Sequence, residues 1–183
     1  MRKMRILFLH GLESKPGCEK VQLLQSLGHI VQSPKIEYKD DKSYENLYKL
    51  TKYNNYDVII GSSMGGWFAW NLGKEIGVPV LLLNPALHSR SVNPNMDLGV
   101  RSVLGPFPRP SKVFLALGLY DEVINPDKTL EWLKHNDKLD WNPNNIKAAG
   151  YGHRTSVEDF INIWFHFEKN INEANELQER YAL

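Results

Sequence analysis

A serine between two glycines is the feature of this sequence that most directly suggests chemistry. Residues 61–65 read Gly-Ser-Ser-Met-Gly, a G-x-S-x-G pattern that follows the β-branched run 57–60 and precedes the apolar stretch 66–76. A tight turn from a strand into a helix exposes its middle residue, and a glycine two positions away on each side leaves space for it. We therefore predict that Ser63 is a nucleophile. The alternatives are a turn whose serines cap the following helix and a phosphate-binding loop.

A serine hydroxyl is a poor nucleophile at neutral pH, so this prediction requires a base and an acid elsewhere in the chain. After such a turn the expected chain order is serine, then Asp or Glu, then histidine. Asp121 and His153 satisfy this order, and each follows an apolar run that reads as a strand. His153 is predicted to accept the Ser63 proton, and Asp121 to fix the histidine tautomer and stabilise the imidazolium.

Other residues compete for these roles. Glu122 is adjacent to Asp121 and is the closest alternative for the acid. The non-catalytic alternatives are a capping role for Asp121 and a solvated loop position for His153. The remaining histidines fit less well, because they precede the acid in the chain or lie in predicted helices: His10, His29, His88, His135 and His166.

Two backbone amides are predicted to stabilise the oxyanion that forms on the substrate. The Met64 amide lies at the positive end of the helix after Ser63, and the Leu12 amide lies in the loop after the first predicted strand. Gly11 in that loop allows close approach, so we expect it to contact the substrate. His10 is predicted to pack and position the loop, and Ser14 to cap the next helix.

The elements that must position these residues alternate between short apolar runs and longer stretches of helical period. That alternation predicts an α/β fold with a mainly parallel sheet of about six strands and helices on both faces. The carboxyl ends of parallel strands share one edge, which would bring Ser63, Asp121 and His153 together. The predicted strands cover residues 5–9, 29–31, 57–60, 78–83, 112–117 and 146–149.

One segment interrupts the alternation. Residues 86–111 are mostly polar and end near a Gly-Pro-Phe-Pro-Arg-Pro run, which cannot be regular helix or interior strand. We predict a single domain over residues 1–183 from which this segment forms a lid-like excursion, with Leu87 and Phe107 contacting the substrate. Such a lid would favour short to medium acyl chains in a graded way. The alternative is a plain surface connection.

Composition excludes several classes of function. The 22 basic and 21 acidic residues give a net charge of +1, too weak a field to bind nucleic acid. The single cysteine, Cys18, cannot form an internal disulfide, which predicts a reducing, cytoplasmic compartment and excludes zinc sites built from several thiolates. No apolar run is long enough to span a membrane. The sequence leaves the oligomeric state open.

Five segments, spread over nearly the whole chain, carry a family likeness. They are residues 7–11 (Leu-Phe-Leu-His-Gly) with Ser14 and Pro16 behind them, residues 61–66, Asn84-Pro85-Ala86, Asp121-Glu122-Val123, and the region of His153. In these segments the chain resembles the YqiA-like group of small bacterial esterases in the α/β-hydrolase superfamily. The resemblance implies a compact α/β-hydrolase fold and hydrolysis of small-molecule carboxylic esters, with acyl thioesters as a further option, without metal or organic cofactor. It implies the same roles for Ser63, Asp121, His153 and the amides of Leu12 and Met64.

The chain also departs from the family pattern. Tyr120 stands before the acid where the family tends to have glycine, and Arg154-Thr155 follows the base where small and aromatic residues are more usual. Arg154 is a candidate for binding an anionic substrate group, and an exposed, solvated arginine is the alternative. Two other hypotheses for the whole protein stay open: a non-catalytic binding protein on a hydrolase scaffold, and a thioesterase or small peptidase with the same three residues.

Overall fold

A parallel sheet forms the centre of the computed structural model, which describes residues 2–88, 112–136 and 145–181. Its strands are β1 (Arg5–Leu9), β2 (Ile30–Gln32), β3 (Val58–Ser62), β4 (Val80–Leu83), β5 (Val113–Gly118) and β6 (Ile146–Ala149). Their order in the sheet is β2-β1-β3-β4-β5-β6, and every neighbouring pair is parallel. The predicted fold class is therefore confirmed.

Helices follow β1, β2, β3, β5 and β6 and cover both faces of the sheet. They are α1 (Glu19–Ser26), α2 (Ser43–Tyr53), α3 (Met64–Ile76), α4 (Pro126–Asn136) and α5 (Val157–Tyr181). Because successive side chains of a strand point to opposite faces, the core divides into two layers. Leu7, Leu9 and Ile59 pack in the layer that α2, α3 and α4 cover, and Phe8 and Ile60 pack in the layer that α1 and α5 cover.

The order of the strands reverses at β1, which lies between β2 on one side and β3 on the other. Chains leaving the carboxyl ends of β1 and β3 therefore diverge, and such a switch point opens a crevice where ligands of α/β proteins bind. The loop that follows β1 and the turn that follows β3 border this crevice. These two connections carry Gly11, Leu12, Ser63 and Met64 from the predicted site.

One local expectation is revised by the structure, and another lies outside the described residues. α1 begins at Glu19 with Cys18 as its N-cap residue, so Ser14 does not cap it; the Ser14 amide instead donates to the Gly11 carbonyl at 3.1 Å in a turn. Residues 89–111, most of the predicted lid and including Phe107, lie outside the described residues.

Within the described part of the chain, no helix has the length and hydropathy needed to cross a membrane.

Candidate active site

Ser63 occupies the turn between β3 and α3 with a strained backbone. Its φ of 52° and ψ of −119° lie in a region that residues with a side chain rarely adopt. A Cβ at Gly61 would lie 2.5 Å from the Ala69 Cβ, and one at Gly65 would lie 2.2 Å from the Leu9 carbonyl oxygen. Both positions therefore require glycine, which is the physical reason for the G-x-S-x-G spacing.

Backbone hydrogen bonds hold this turn against the end of β4. The Ser63 amide donates to the Leu83 carbonyl, and the Ser63 carbonyl accepts from the amides of Ala86 and Gly66, each at 2.9 Å. Strained backbone persists where its surroundings determine it, and these bonds supply that constraint. The Ser63 side chain is thereby fixed at the carboxyl edge of the sheet.

The structure brings the three side chains predicted for the site together at that edge. His153 Nε2 lies 3.0 Å from Ser63 Oγ, and His153 Nδ1 lies 2.9 Å from Asp121 Oδ2 and 3.1 Å from Oδ1. An ionised carboxylate only accepts hydrogen bonds, so Nδ1 donates to Asp121. The Nε2 lone pair then faces the Ser63 hydroxyl, which is the arrangement that a general base requires.

The carboxylate of Asp121 is buried and accepts hydrogen bonds from three donors. Its Oδ1 accepts the amides of Val123 at 2.8 Å and Ile124 at 2.7 Å in addition to the His153 ring. Only 1% of the Asp121 side chain is exposed, against 15% for His153. Asp121 is therefore shielded and oriented by the turn after β5, whereas His153 has access to the cleft.

Glu122, the competing acid, contacts the backbone of the histidine loop. Its Oε2 accepts the His153 amide at 3.1 Å, whereas the His153 ring bonds to Asp121. Hydrogen bonds from its own amide and the His153 amide hold the pKa of Glu122 below its ordinary value. Glu122 thus positions the loop that carries His153, and the geometry favours Asp121 as the acid.

The predicted oxyanion amides border the same space. Met64 is the first residue of α3, where an amide has no acceptor within its own helix. Among the described residues, no acceptor is hydrogen-bonded to the amide of Met64 or of Leu12. A Cβ at Gly11 would lie 3.2 Å from the Ser63 Cβ, so the loop after β1 passes directly beside the serine.

His10 holds that loop in place, as its predicted packing role requires. Its buried ring donates from Nδ1 to the Gly11 carbonyl at 2.7 Å, and its Nε2 accepts the Ile36 amide at 3.2 Å. The Tyr38 hydroxyl donates to the His10 carbonyl. Because both ring nitrogens are engaged, His10 has no free nitrogen for proton transfer to a substrate.

A cleft of about 420 Å³ opens beside Ser63. The predicted contact Gly11 lines it, but Leu87 does not: Leu87 is fully buried in the core layer of α3 and α4, where its apolar side chain is removed from water. The prediction that Leu87 contacts substrate is therefore corrected. The described lining consists of Gly11, Leu12, Glu13, Ser14, Lys20, Ser62, Ser63, Met64, Val123, His153, Arg154 and Thr155.

Asn84 links the site together, and its role was not predicted from the sequence. Its Oδ1 accepts the Gly118 amide at 2.7 Å, and its Nδ2 donates to the carbonyls of Gly152 at 3.1 Å and His153 at 2.9 Å. One buried amide side chain thus joins the ends of β4 and β5 to the histidine loop. An asparagine directly after a buried strand was the available signal, since asparagine tolerates the positive φ of 43° found here.

Solved structures, two of them described as hydrolases, share this architecture at low sequence identity and place the chain in the α/β-hydrolase fold class. A YdeN-like protein from Pectobacterium atrosepticum aligns over 96% of this chain and 92% of its own with a TM-score of 0.59 and 14% identity. SOBER1 from Arabidopsis thaliana aligns over 93% of this chain and 100% of its own with a TM-score of 0.55 and 15% identity. XC6422 from Xanthomonas campestris, described as an α/β serine hydrolase without a lid, aligns over 97% and 81% with a TM-score of 0.50 and 12% identity.

The family follows from the sequence itself. The model of the uncharacterised protein family UPF0227 matches residues 5–106, more than half of the chain, and the protein belongs to this family. The family resemblance predicted from the motifs is therefore confirmed. No curated protein sequence matches the chain.

Proposed function

We propose that the protein is a serine hydrolase that cleaves carboxylic esters of small molecules. The observation that carries this proposal is the continuous hydrogen-bonded series from Ser63 Oγ to His153 Nε2 at 3.0 Å and from His153 Nδ1 to Asp121 Oδ2 at 2.9 Å. Structural relatives described as hydrolases support the same reaction class. The single cysteine, Cys18, supports action in a reducing compartment such as the cytoplasm.

The proposed reaction proceeds through an acyl-enzyme. Ser63 Oγ attacks the ester carbonyl carbon while His153 Nε2 takes its proton, and the carbonyl oxygen becomes an oxyanion facing the amides of Leu12 and Met64. Collapse breaks the carbon–oxygen bond to the alcohol, which receives the proton from His153. Water then attacks the acyl-enzyme with His153 again as base, and the acid product leaves as Ser63 regains its proton. Asp121 stays ionised and stabilises the imidazolium in both halves.

The cleft favours short to medium acyl groups. Its volume of about 420 Å³ lies toward the lower end of the range that small-molecule sites occupy, 300–1,000 Å³ by rough survey. Each extra methylene adds only about 0.8 kcal/mol when buried, so the preference for chain length should be graded. Thioesters of the same acyl groups fit the same chemistry.

Covalent capture tests the proposal. A labelled fluorophosphonate should modify the wild-type protein, and Ser63→Ala should abolish the labelling, whereas the neighbouring Ser62→Ala should retain it. With p-nitrophenyl esters and acyl thioesters of graded length, Ser63→Ala should lower kcat on the order of a millionfold. Folded wild-type protein that shows neither labelling nor turnover would favour a non-catalytic binding protein instead.

A further inference from the structure

The cleft beside Ser63 contains a lysine that the proposed mechanism does not use. Lys20 is the second residue of α1, and it lines the cleft together with Ser14 and the loop after β1. Its side chain is only partly exposed. Lys20 therefore forms part of the wall of the cleft that contains Ser63.

The position of Lys20 is unfavourable for a cation unless an anion binds beside it. Lys20 forms no ion pair with a carboxylate of the described residues. Burial lowers the pKa of Lys20, and the nearby Cys18 and Glu19 offset this effect only in part. A positive charge in the first turn of a helix also opposes the helix dipole. Burial and the dipole therefore both disfavour an ammonium group here, and an anion beside it would relieve both effects.

The other charged groups of the described cleft wall neutralise each other. Arg154 Nη2 lies 2.7 Å from Glu13 Oε2, and both side chains project into solvent with 83% and 77% of their surface exposed. The hydroxyl groups of the wall, such as those of Ser62 and Thr155, carry no charge. Lys20 is thus the charged side chain of this wall that forms no ion pair with a described residue.

We propose that the substrate carries a carboxylate that binds Lys20, so that the protein hydrolyses acidic esters. This inference rests on the proposed ester hydrolysis at Ser63. A single unpaired cation balances the single negative charge of a carboxylate, whereas a phosphate dianion would need a second one. A charge-assisted hydrogen bond to Lys20 would hold the substrate by a group away from the scissile bond and align that bond with Ser63.

Two pairs of esters test this preference and show which side of the ester bears the charge. Monomethyl glutarate places the carboxylate on the acyl side, and its neutral match is methyl 4-carbamoylbutanoate. The ester 4-carboxyphenyl butyrate places it on the leaving group, and its neutral match is 4-carbamoylphenyl butyrate. For wild-type protein we expect kcat/KM to be at least about tenfold higher for the acid than for the amide in one pair, since a hydrogen bond to a charged group contributes that much.

Variants at position 20 show whether the preference for the acid over the amide depends on Lys20. Lys20→Met should remove most of the acid-to-amide ratio, Lys20→Gln should do the same, and Lys20→Arg should retain most of it. Lys15→Met is the matched control, because Lys15 is an exposed lysine just before α1 that does not line the described cleft, and it should leave the ratio unchanged. Fluorophosphonate labelling of each variant shows that its site is folded.

The outcomes separate this inference from the function on which it rests. Hydrolysis of the esters through Ser63 with a ratio near one in both pairs, or with a ratio that survives Lys20→Met, overturns the role of Lys20 and leaves the serine hydrolase intact. A ratio lost in Arg154→Gln but kept in Lys20→Met also overturns it, in favour of the arginine. Absence of both hydrolysis and labelling in folded wild-type protein contradicts the proposed function itself.

Discussion

Two histidine–carboxylate pairs in the molecule differ in what surrounds the carboxylate. At the site, Asp121 accepts two backbone amides as well as the His153 ring, whose Nδ1 lies 2.9 Å from Oδ2. In the interior beneath α1 and α5, His29 Nε2 lies 3.9 Å from Glu168 Oε1, too far for a hydrogen bond. Three described donors bind the first carboxylate, whereas no described residue donates a hydrogen bond to the second.

The interior pair is buried with unsatisfied polar atoms. His29 Nε2, Glu168 Oε1 and the Trp164 indole nitrogen have no hydrogen-bond partner among the described residues. Burial raises the pKa of Glu168 and lowers the pKa of His29, so both groups favour their neutral forms. The same two residue types therefore form a hydrogen-bonded pair at the site, where backbone amides also bind the carboxylate, and a longer contact of 3.9 Å in the interior.

Replacing the carboxyl group of each pair by an amide should separate the two pairs most strongly. Asp121→Asn should lower kcat for ester hydrolysis by about 10⁴-fold, because an amide in place of the carboxylate no longer selects the tautomer that accepts the Ser63 proton. Glu168→Gln should leave kcat within about twofold, since its pair lies outside the site. Steady-state kinetics with p-nitrophenyl butyrate measures both, and a loss below tenfold in Asp121→Asn would contradict the assigned acid.

The positioning of the base should depend on Asn84 to a smaller extent. Asn84→Asp keeps the acceptor for the Gly118 amide but loses both donors to the histidine loop, so His153 should be held less accurately. We expect kcat to fall by about 10- to 100-fold with KM changed by less than about threefold. Asn162→Asp, an exposed asparagine on α5, is the matched control and should keep wild-type kinetics. Equal effects on kcat and KM would instead indicate a disturbed cleft.

The smallest expected effect is on stability, and it has a defined pH dependence. Because the pKa of Glu168 is raised in the folded protein, its contribution to stability is fully present below its ordinary value of 4.5 and is lost as pH rises through the folded value. Glu168→Gln removes this dependence, so the variant should gain stability relative to wild type between pH 4 and pH 8. Urea unfolding midpoints at both pH values measure the change, and a constant difference would contradict an unpaired, buried carboxyl.

The parts of the site that could be predicted are those set by chain order and the sheet. A G-x-S-x-G turn between a strand and a helix indicated Ser63, and the rule that parallel strands end at one edge indicated Asp121 and His153. Choosing between Asp121 and Glu122 required the turn after β5, in which Asp121 accepts the amides two and three residues ahead of it. The turn involves only neighbouring residues, but an Asp followed by a Glu in the sequence does not show which of the two side chains will bond to the histidine.

The contacts that escaped prediction join segments distant in sequence. Asn84 meets the histidine loop 68 and 69 residues further along the chain, and no local pattern marks such a partner. Leu87 was assigned to the substrate because it follows β4 near the site, but its burial in the core depends on how α3 and α4 pack. The burial of His29 and Glu168 beside each other could not be predicted either, because the two residues are distant in sequence. Neither residue type is expected in a core without a partner.

The close contact between Gly65 and the Leu9 carbonyl constrains how the protein can diversify. Any side chain at position 65 would push the first turn of α3 away from β1 and would displace Ser63. New specificities should therefore arise by exchange of rim residues such as Glu13 or Arg154, which project into solvent and can vary without moving the sheet. The turn between β3 and α3 would then keep its position while substitutions at the rim change the range of substrates.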